Sequence, residues 1–408
     1  MSTIFENARV LDVEAGKLLD ERQVLVRDGK IVEIGQPKVI GIADNRVDLR
    51  GKTLMPGLCD AHVHVIVPMN SFKLLTTWSP FYTAIRAMPI LNGMLMRGFT
   101  TVRDCGGADF GLAKAVEEKL IPGPRILFSG KALSQTGGHG DMRGPGETLY
   151  DDHPGVPALG RICDGVAAVR KAARDELRRG AHQVKIMAGG GIASYTDPVT
   201  NDQFSLEEIR AAVEEAEACG KYVVAHAYTA RSVTRCVQSG VRSIEHGNFL
   251  DDAAAKLMVE RNAIFVPTLV ALDAMAREGL EVGMPPELYA KIKFVWDEGV
   301  NCLEVAKRNG VTMVYGTDLI GPLHQYQTDE FRIRSAVLSN LELIRSATLY
   351  AADLFQMNGQ IGVVSEGARA DLIVVDGNPL EDLELLQHQG RHIPLIMKDG
   401  DIYKNEIA

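Results

Sequence analysis

The sequence predicts an α/β chain: a (β/α)8 TIM barrel over 57–356, with a small β-sandwich domain built from residues 1–56 and 357–408. Three observations predict it. Through the middle of the chain, short apolar runs alternate with amphipathic helical stretches, the pattern of a parallel sheet. Eight such strand–helix units can be counted, the number that closes a barrel. Both ends revert to short strands punctuated by turn residues, and chain termini often meet in space.

The N-terminal strands are expected over 4–13, 23–27 and 30–34, with Arg27-Asp28-Gly29-Lys30 as a hairpin turn. Apolar residues on both sides of His62-Val63-His64 make that stretch the first buried barrel strand. A helix over 80–97, a strand over 99–103, a helix over 112–119 and a strand over 125–129 follow. The Gly-rich stretch 130–160 reads as a functional loop, because structureless segments of that length are uncommon. Helix 166–179 and strand 183–187 lead to a helix capped by Ser205 and running to Cys219, with Glu208 completing a capping box. Strands over 222–227, 243–246, 264–269 and 312–315 alternate with helices over 230–239, 251–262 and 287–309. Two helices, near 327–338 and 340–354, close the region, and strand-and-turn patterns at 370–377 and 394–401 end the chain.

Composition narrows the function. The chain has 408 residues, 46% of them hydrophobic, enough for a sizeable core. A net charge of −9 gives no electrostatic support to nucleic-acid binding. No apolar run approaches a membrane span, and the first residues lack a signal peptide's basic and apolar regions. The six cysteines are scattered without a C-x-x-C, which suits reduced thiols and a cytoplasmic protein.

Chemistry concentrates at the predicted strand ends. On a strand, His62 and His64 point the same way, about 6.6 Å apart along it, and can grip one divalent metal. Lys185 ends the fourth strand, His226 the fifth, His246 the sixth and Asp318 follows the eighth. That rim is where a barrel of this kind carries its chemistry. His139 and His324 lie on loops at the same rim, whereas His153, His182, His388 and His392 fall on loops or element starts elsewhere.

This set resembles the binuclear metal pattern of the amidohydrolase superfamily. The run 54–64, Leu-Met-Pro-Gly-Leu-Cys-Asp-Ala-His-Val-His, is similar to its strand-one signature, and 362–375 to its return into the β-sandwich. The segments 184–191 and 224–228 look most like the imidazolonepropionase-related dipeptidases, which include prolidases. The resemblance implies two Zn2+ per chain. His62, His64 and Asp318 would hold the first and His226 and His246 the second. An N6-carboxylated Lys185 and a hydroxide would bridge them. An ammonium has no lone pair to offer a metal, and carboxylation by CO2 would replace it with two anionic oxygens. Two dications against a carbamate, a carboxylate and a hydroxide leave the site net positive, which favours a substrate with a nearby carboxylate.

The implied reaction is hydrolysis of a dipeptide or N-acyl amino acid, Xaa-Pro first among them. Asp318 would carry the proton from the attacking hydroxide to the leaving nitrogen. His139 would polarise the scissile carbonyl, and Tyr228 would bind the terminal carboxylate or the oxyanion. Arg143, Arg231 and His324 are further candidates for substrate contacts. An acidic residue such as Asp141, Glu147 or Asp197 in the pocket would select Lys or Arg at the terminal position. The superfamily often self-associates, so a homo-oligomer is expected. The rival reading, a cyclic amide hydrolase or deaminase related to imidazolonepropionase, usually holds one metal and does not need the bridging lysine. A second rival is a non-enzymatic scaffold, but all six ligand positions are filled.

Overall fold

The structure is a computed structural model that describes residues 2–36, 43–148, 155–194, 196–296 and 298–407. Its α/β content follows the expected order. The chain ends build one eight-stranded sheet. Ser2–Asp12 pairs antiparallel with Lys17–Arg27, which pairs with Lys30–Gly35. The turn between the last two places Asp28 at φ +50° and Gly29 at +75°, the double left-handed geometry of a type I′ hairpin. Thr53–Pro56 runs parallel to Ser2–Asp12 on one edge and antiparallel to Leu372–Val375 on the other. It therefore stitches the two termini together. Leu395–Lys398 and Asp401–Asn405 extend the sheet beyond Leu372–Val375. Asn45–Asp48, which the sequence pattern did not suggest, pairs with Ser2–Asp12.

The middle of the chain supplies parallel strands that are almost wholly buried. Leu58–Val63, Phe99–Asp104 and Arg125–Phe128 form a three-stranded sheet. Gly160–Ile162, Ala132–Ser134, Val184–Met187, Val223–Thr229, Ser243–Phe249 and Ile264–Val266 form a six-stranded one. Hydrogen bonds run between them. The Phe128 carbonyl accepts from the His182 N–H, just before Val184–Met187, at 2.9 Å, and on the other side the Ala61 N–H donates at 2.8 Å to the Tyr315 carbonyl, in the stretch that bridges to Phe265. Helices such as Val166–Arg178 and Leu206–Ala218 bury their alanine- and valine-rich faces between these strands and solvent. No helix among the described residues is long and apolar enough to cross a membrane.

Several expected elements differ, each for a local reason. The helix expected over 287–309 is two helices, Pro286–Trp296 and Asn301–Asn309, with Gly299 between them. A glycine costs a helix interior roughly 1 kcal/mol against alanine. The strand expected over 264–269 stops at Val266, because Pro267 has no N–H to continue the ladder. Thr268 then turns left-handed and Leu269–Glu278 is helical. The stretch 312–315 makes a single bridge, Met313 to Phe265, while the Tyr315 N–H donates to the Ser346 carbonyl instead of a strand. The helix expected over 340–354 breaks after Ser346, where the Ala347 carbonyl accepts from the Cys59 N–H on the first parallel strand. Near 327–338 there is a 3-10 turn, Gly321–Tyr326, then Asp329–Arg334. The Gly-rich stretch 130–160 contains Ala132–Ser134 and reaches Gly160–Ile162, which pairs with it. Residues 149–154, with His153, lie outside the described residues.

Candidate active site

The carboxyl ends of the parallel strands surround a small cavity of about 60 Å3, lined by His62, His64, Lys185, His226, His246 and Asp318 together with His139 and Tyr228. Strand geometry puts the first two there: their ring centroids lie 5.4 Å apart. The other two imidazoles join them, His246 at 5.1 Å from His62 and 4.5 Å from His226. Asp318 reaches in from the turn after Gly316, its N–H donating to the His62 carbonyl at 2.7 Å. Gly316 lies so close to two strands that a Cβ would sit 2.3 Å from Val266 on Ile264–Val266 and 3.1 Å from His62 Cβ on Leu58–Val63. His246, Thr268 and Asp318 all have left-handed backbones, at φ +73°, +51° and +54°. Strain of this kind in non-glycine residues clusters at functional sites.

Each of the four imidazoles has one ring nitrogen occupied by the protein. His62 Nδ1 meets Glu245 Oε2 at 2.6 Å, and Glu245 is held in turn by Arg103 at 2.8 Å, both fully buried. His64 Nδ1 meets the Gly106 carbonyl at 3.0 Å, and His246 Nδ1 meets Thr268 Oγ1 at 2.7 Å. His226 uses Nε2 instead, toward the Gly190 carbonyl at 3.0 Å. Such outer partners fix the tautomer and orientation of metal-binding histidines. The Nε2 atoms of His62 and His64 are left at 3.4 and 3.1 Å from Asp318 Oδ1.

The electrostatics suit cation ligation. Burial holds His62 and His226 well below their ordinary titration range and His246 at about 4, so these rings stay neutral with a lone pair to offer. His64 is also pushed down by burial, but its contact with Asp318 outweighs this and raises it. Burial alone would raise Asp318; its contacts with His62, His64 and His246 hold the carboxyl far below the usual range. Lys185 is 1% exposed, and among the described residues its Nζ has no hydrogen-bond partner. A polar group buried without a partner is costly, so this position calls for one. Ligand atoms of His62, His246 and Asp318 lie within 4.8 Å of one another. The residues present therefore fit a metal centre.

The other sequence candidates separate. His139 stacks on His226 with ring centroids 4.2 Å apart, and its Nδ1 meets Ser194 Oγ at 2.7 Å. Tyr228 stacks on His246 at 5.1 Å; burial raises its hydroxyl, which remains a protonated donor. Arg143 binds Asp141 at 2.7 Å and lines a neighbouring chamber of about 760 Å3, which shares Phe72, Gly140, Met142 and Leu159 with the cavity. Glu147 in that chamber is paired with Lys73. His324 is buried beside the site, its Nε2 at 3.2 Å from the Val67 carbonyl, and does not line the cavity. Arg231 points to Asp202 at 2.6 Å. Asp197 is 1% exposed and accepts from the Gly191 N–H at 3.0 Å.

Sequence reasoning missed Glu245, Thr268, Ser194 and Asp60. Asp60 accepts from Thr317 Oγ1 at 2.6 Å and Gln327 Nε2 at 2.9 Å, locking the first strand to the Asp318 turn. The signal for Glu245 was present, an acid adjoining a metal-capable histidine. Strict alternation places such neighbours on opposite faces, and only the left-handed turn at His246 brings both inward.

Comparison with known proteins is consistent with this geometry. A model of the amidohydrolase family matches residues 53–402. Ochratoxinase from Aspergillus niger is 30% identical over 424 aligned positions, covering 98% of this chain and 88% of the relative. A prolidase solved in complex with N-methylphosphonate-L-proline superposes with a TM-score of 0.96 at 49% identity, covering 99% of this chain and 100% of that one. A Xaa-Pro dipeptidase with methionine bound in its active site gives 0.89 at 28% identity, with 99% and 100% covered.

Proposed function

The chain belongs to the amidohydrolase family and is a hydrolase of that kind, and on that footing we propose that it is a binuclear zinc dipeptidase with Xaa-Pro as its preferred substrate. The observation that carries the reading is the Lys185 Nζ, without a hydrogen-bond partner among the described residues, in a cavity lined by four imidazoles and Asp318. His62, His64 and Asp318 would hold one ion, His226 and His246 the other, with carboxylated Lys185 between them. Two such ions supply a Lewis acid and a water acidified to near neutral pH.

The chain's own residues do the rest. Asp318, ionised throughout the working pH range, accepts the proton of the attacking water and passes it to the leaving nitrogen. His139, gripped at Nδ1 by Ser194, presents Nε2 to the scissile carbonyl. The Tyr228 hydroxyl donates to the substrate's terminal carboxylate. The cavity is too small for a whole dipeptide, so the rest of the substrate extends into the adjoining chamber. Similarity to a prolidase and a Xaa-Pro dipeptidase supports the substrate class. The scaffold is read as a closed (β/α)8 barrel over 57–356 with a terminal β-sandwich domain, supported by the hydrogen bonds that join the parallel sheets. All six cysteines are free, in keeping with a reducing cytoplasm.

The test is a metal count by elemental analysis with a screen of Xaa-Pro and other dipeptides. Two ions per chain and turnover of Xaa-Pro are expected. Asp318→Asn should lower kcat by at least about 100-fold. One ion per chain with turnover of cyclic amides alone would replace this reading by the cyclic amide hydrolase.

A further inference from the structure

The segment after Val184–Met187 packs its main chain directly on His139. Gly191 approaches so closely that a Cβ there would lie 2.0 Å from His139 Cε1 and 2.1 Å from Nδ1. The His139 ring is therefore held between this backbone and the ring of His226, 4.2 Å away. The same segment supplies Ser194 Oγ to His139 Nδ1 at 2.7 Å and places Asp197 Oδ2 3.7 Å from that atom. Gln203 extends the frame, accepting the His139 N–H at 2.9 Å and donating to Asp197 at 2.9 Å.

One side chain from a distant helix holds this segment. Lys291, on Pro286–Trp296, donates to the carbonyls of Gly191, Ser194 and Asp197 at 3.0, 2.8 and 2.8 Å. An ammonium has three N–H donors, and all three are used on main-chain carbonyls about 100 positions away in sequence. A neutral side chain of the same length offers none of these bonds.

We propose that Lys291 is a positioning residue: its ammonium clamps the 191–197 segment and thereby sets the His139 ring against the substrate carbonyl. Lys291 does not line the cavity, and its hydrogen bonds go to the carbonyls of Gly191, Ser194 and Asp197; it acts through Ser194 and the Gly191 backbone. The catalytic consequence rests on the role assigned to His139 above, whereas the clamp itself does not.

The experiment is a double-mutant cycle of Lys291→Met and His139→Ala in the metal-loaded enzyme, read by dipeptide turnover, with hydrogen exchange of the 188–199 peptides measured alongside. Lys291→Met should lower kcat on the order of 10- to 100-fold, the scale of a small misplacement of a catalytic group. KM and bound metal should change little, and exchange at 190–198 should quicken. In the His139→Ala background the same substitution should cost no further turnover, because a residue acting through His139 has nothing left to position. Unchanged kcat, losses that multiply in the double variant, or unchanged exchange would each overturn the proposal. If the wild-type enzyme turns over no dipeptide, the dipeptidase reading falls, and the exchange measurement alone decides the clamp.

Discussion

Glu245 joins two fully buried groups, accepting from Arg103 at 2.8 Å through one oxygen and meeting His62 Nδ1 at 2.6 Å through the other. It thereby points His62 Nε2 inward. Glu245→Gln keeps the shape but removes the charge that orients both partners. It should weaken metal affinity by about 10- to 100-fold, as outer-partner changes do at such sites; competition with a chelator measures this, and wild-type affinity would reject the role. His182 makes a different residue-scale prediction. Burial, aided by Lys221, lowers it to about 4, while an unfolded histidine titrates near 6.5. Between those values the unfolded chain binds a proton that the folded chain does not. Its contribution to stability is therefore fully present above about pH 6.5 and is lost as pH falls toward 4. His182→Asn should flatten that stretch of the Tm-against-pH curve relative to wild type; two curves of equal slope would contradict the assignment.

At the scale of elements, the helix Leu206–Ala218 carries its start signal in sequence. Ser205 Oγ accepts the Glu208 N–H at 3.2 Å, and Glu208 Oε2 accepts the Ser205 N–H at 2.7 Å. The expected capping box is there, but Glu208 has a further partner: its Oε1 accepts the Gly165 N–H at 2.6 Å, at the start of the preceding helix. Glu208→Ala should lower stability by about 1–2 kcal/mol, the scale of a lost cap. Thermal unfolding checks it, and a shift no larger than that of Ser205→Ala would show that the second tie contributes nothing. Other elements were less legible. Local periodicity continues through Gly299 and into Leu269, yet a glycine and a proline divide the chain there. The Ala347 carbonyl leaves its helix because a strand nearly 300 residues earlier needs an acceptor, and no local pattern announces that.

For the whole molecule, the terminal sheet is bound to the parallel strands by charge as well as by packing. Arg125, at the start of Arg125–Phe128, donates to the buried Asp371 at 2.6 Å and also to Asp399. Arg125→Met leaves the Asp371 carboxylate buried without its partner, and breaking such a pair costs about 3 kcal/mol or more. A lower Tm with unchanged kcat in the folded enzyme is the expected outcome; loss of kcat without loss of Tm would place Arg125 in the chemistry instead.

The sequence alone determined the α/β alternation, the joining of the two ends and the residue types at the strand ends. Those follow from period-two and helical hydrophobic patterns, which are properties of neighbours in the chain. Tertiary structure decided which ring nitrogen of each histidine the protein occupies, that Glu245 turns toward His62, and that Lys291 reaches the segment beside His139. Each depends on partners distant in sequence, up to nearly two hundred residues away for His62 and Glu245, and such pairings arise only when the folded chain brings those groups within hydrogen-bond reach.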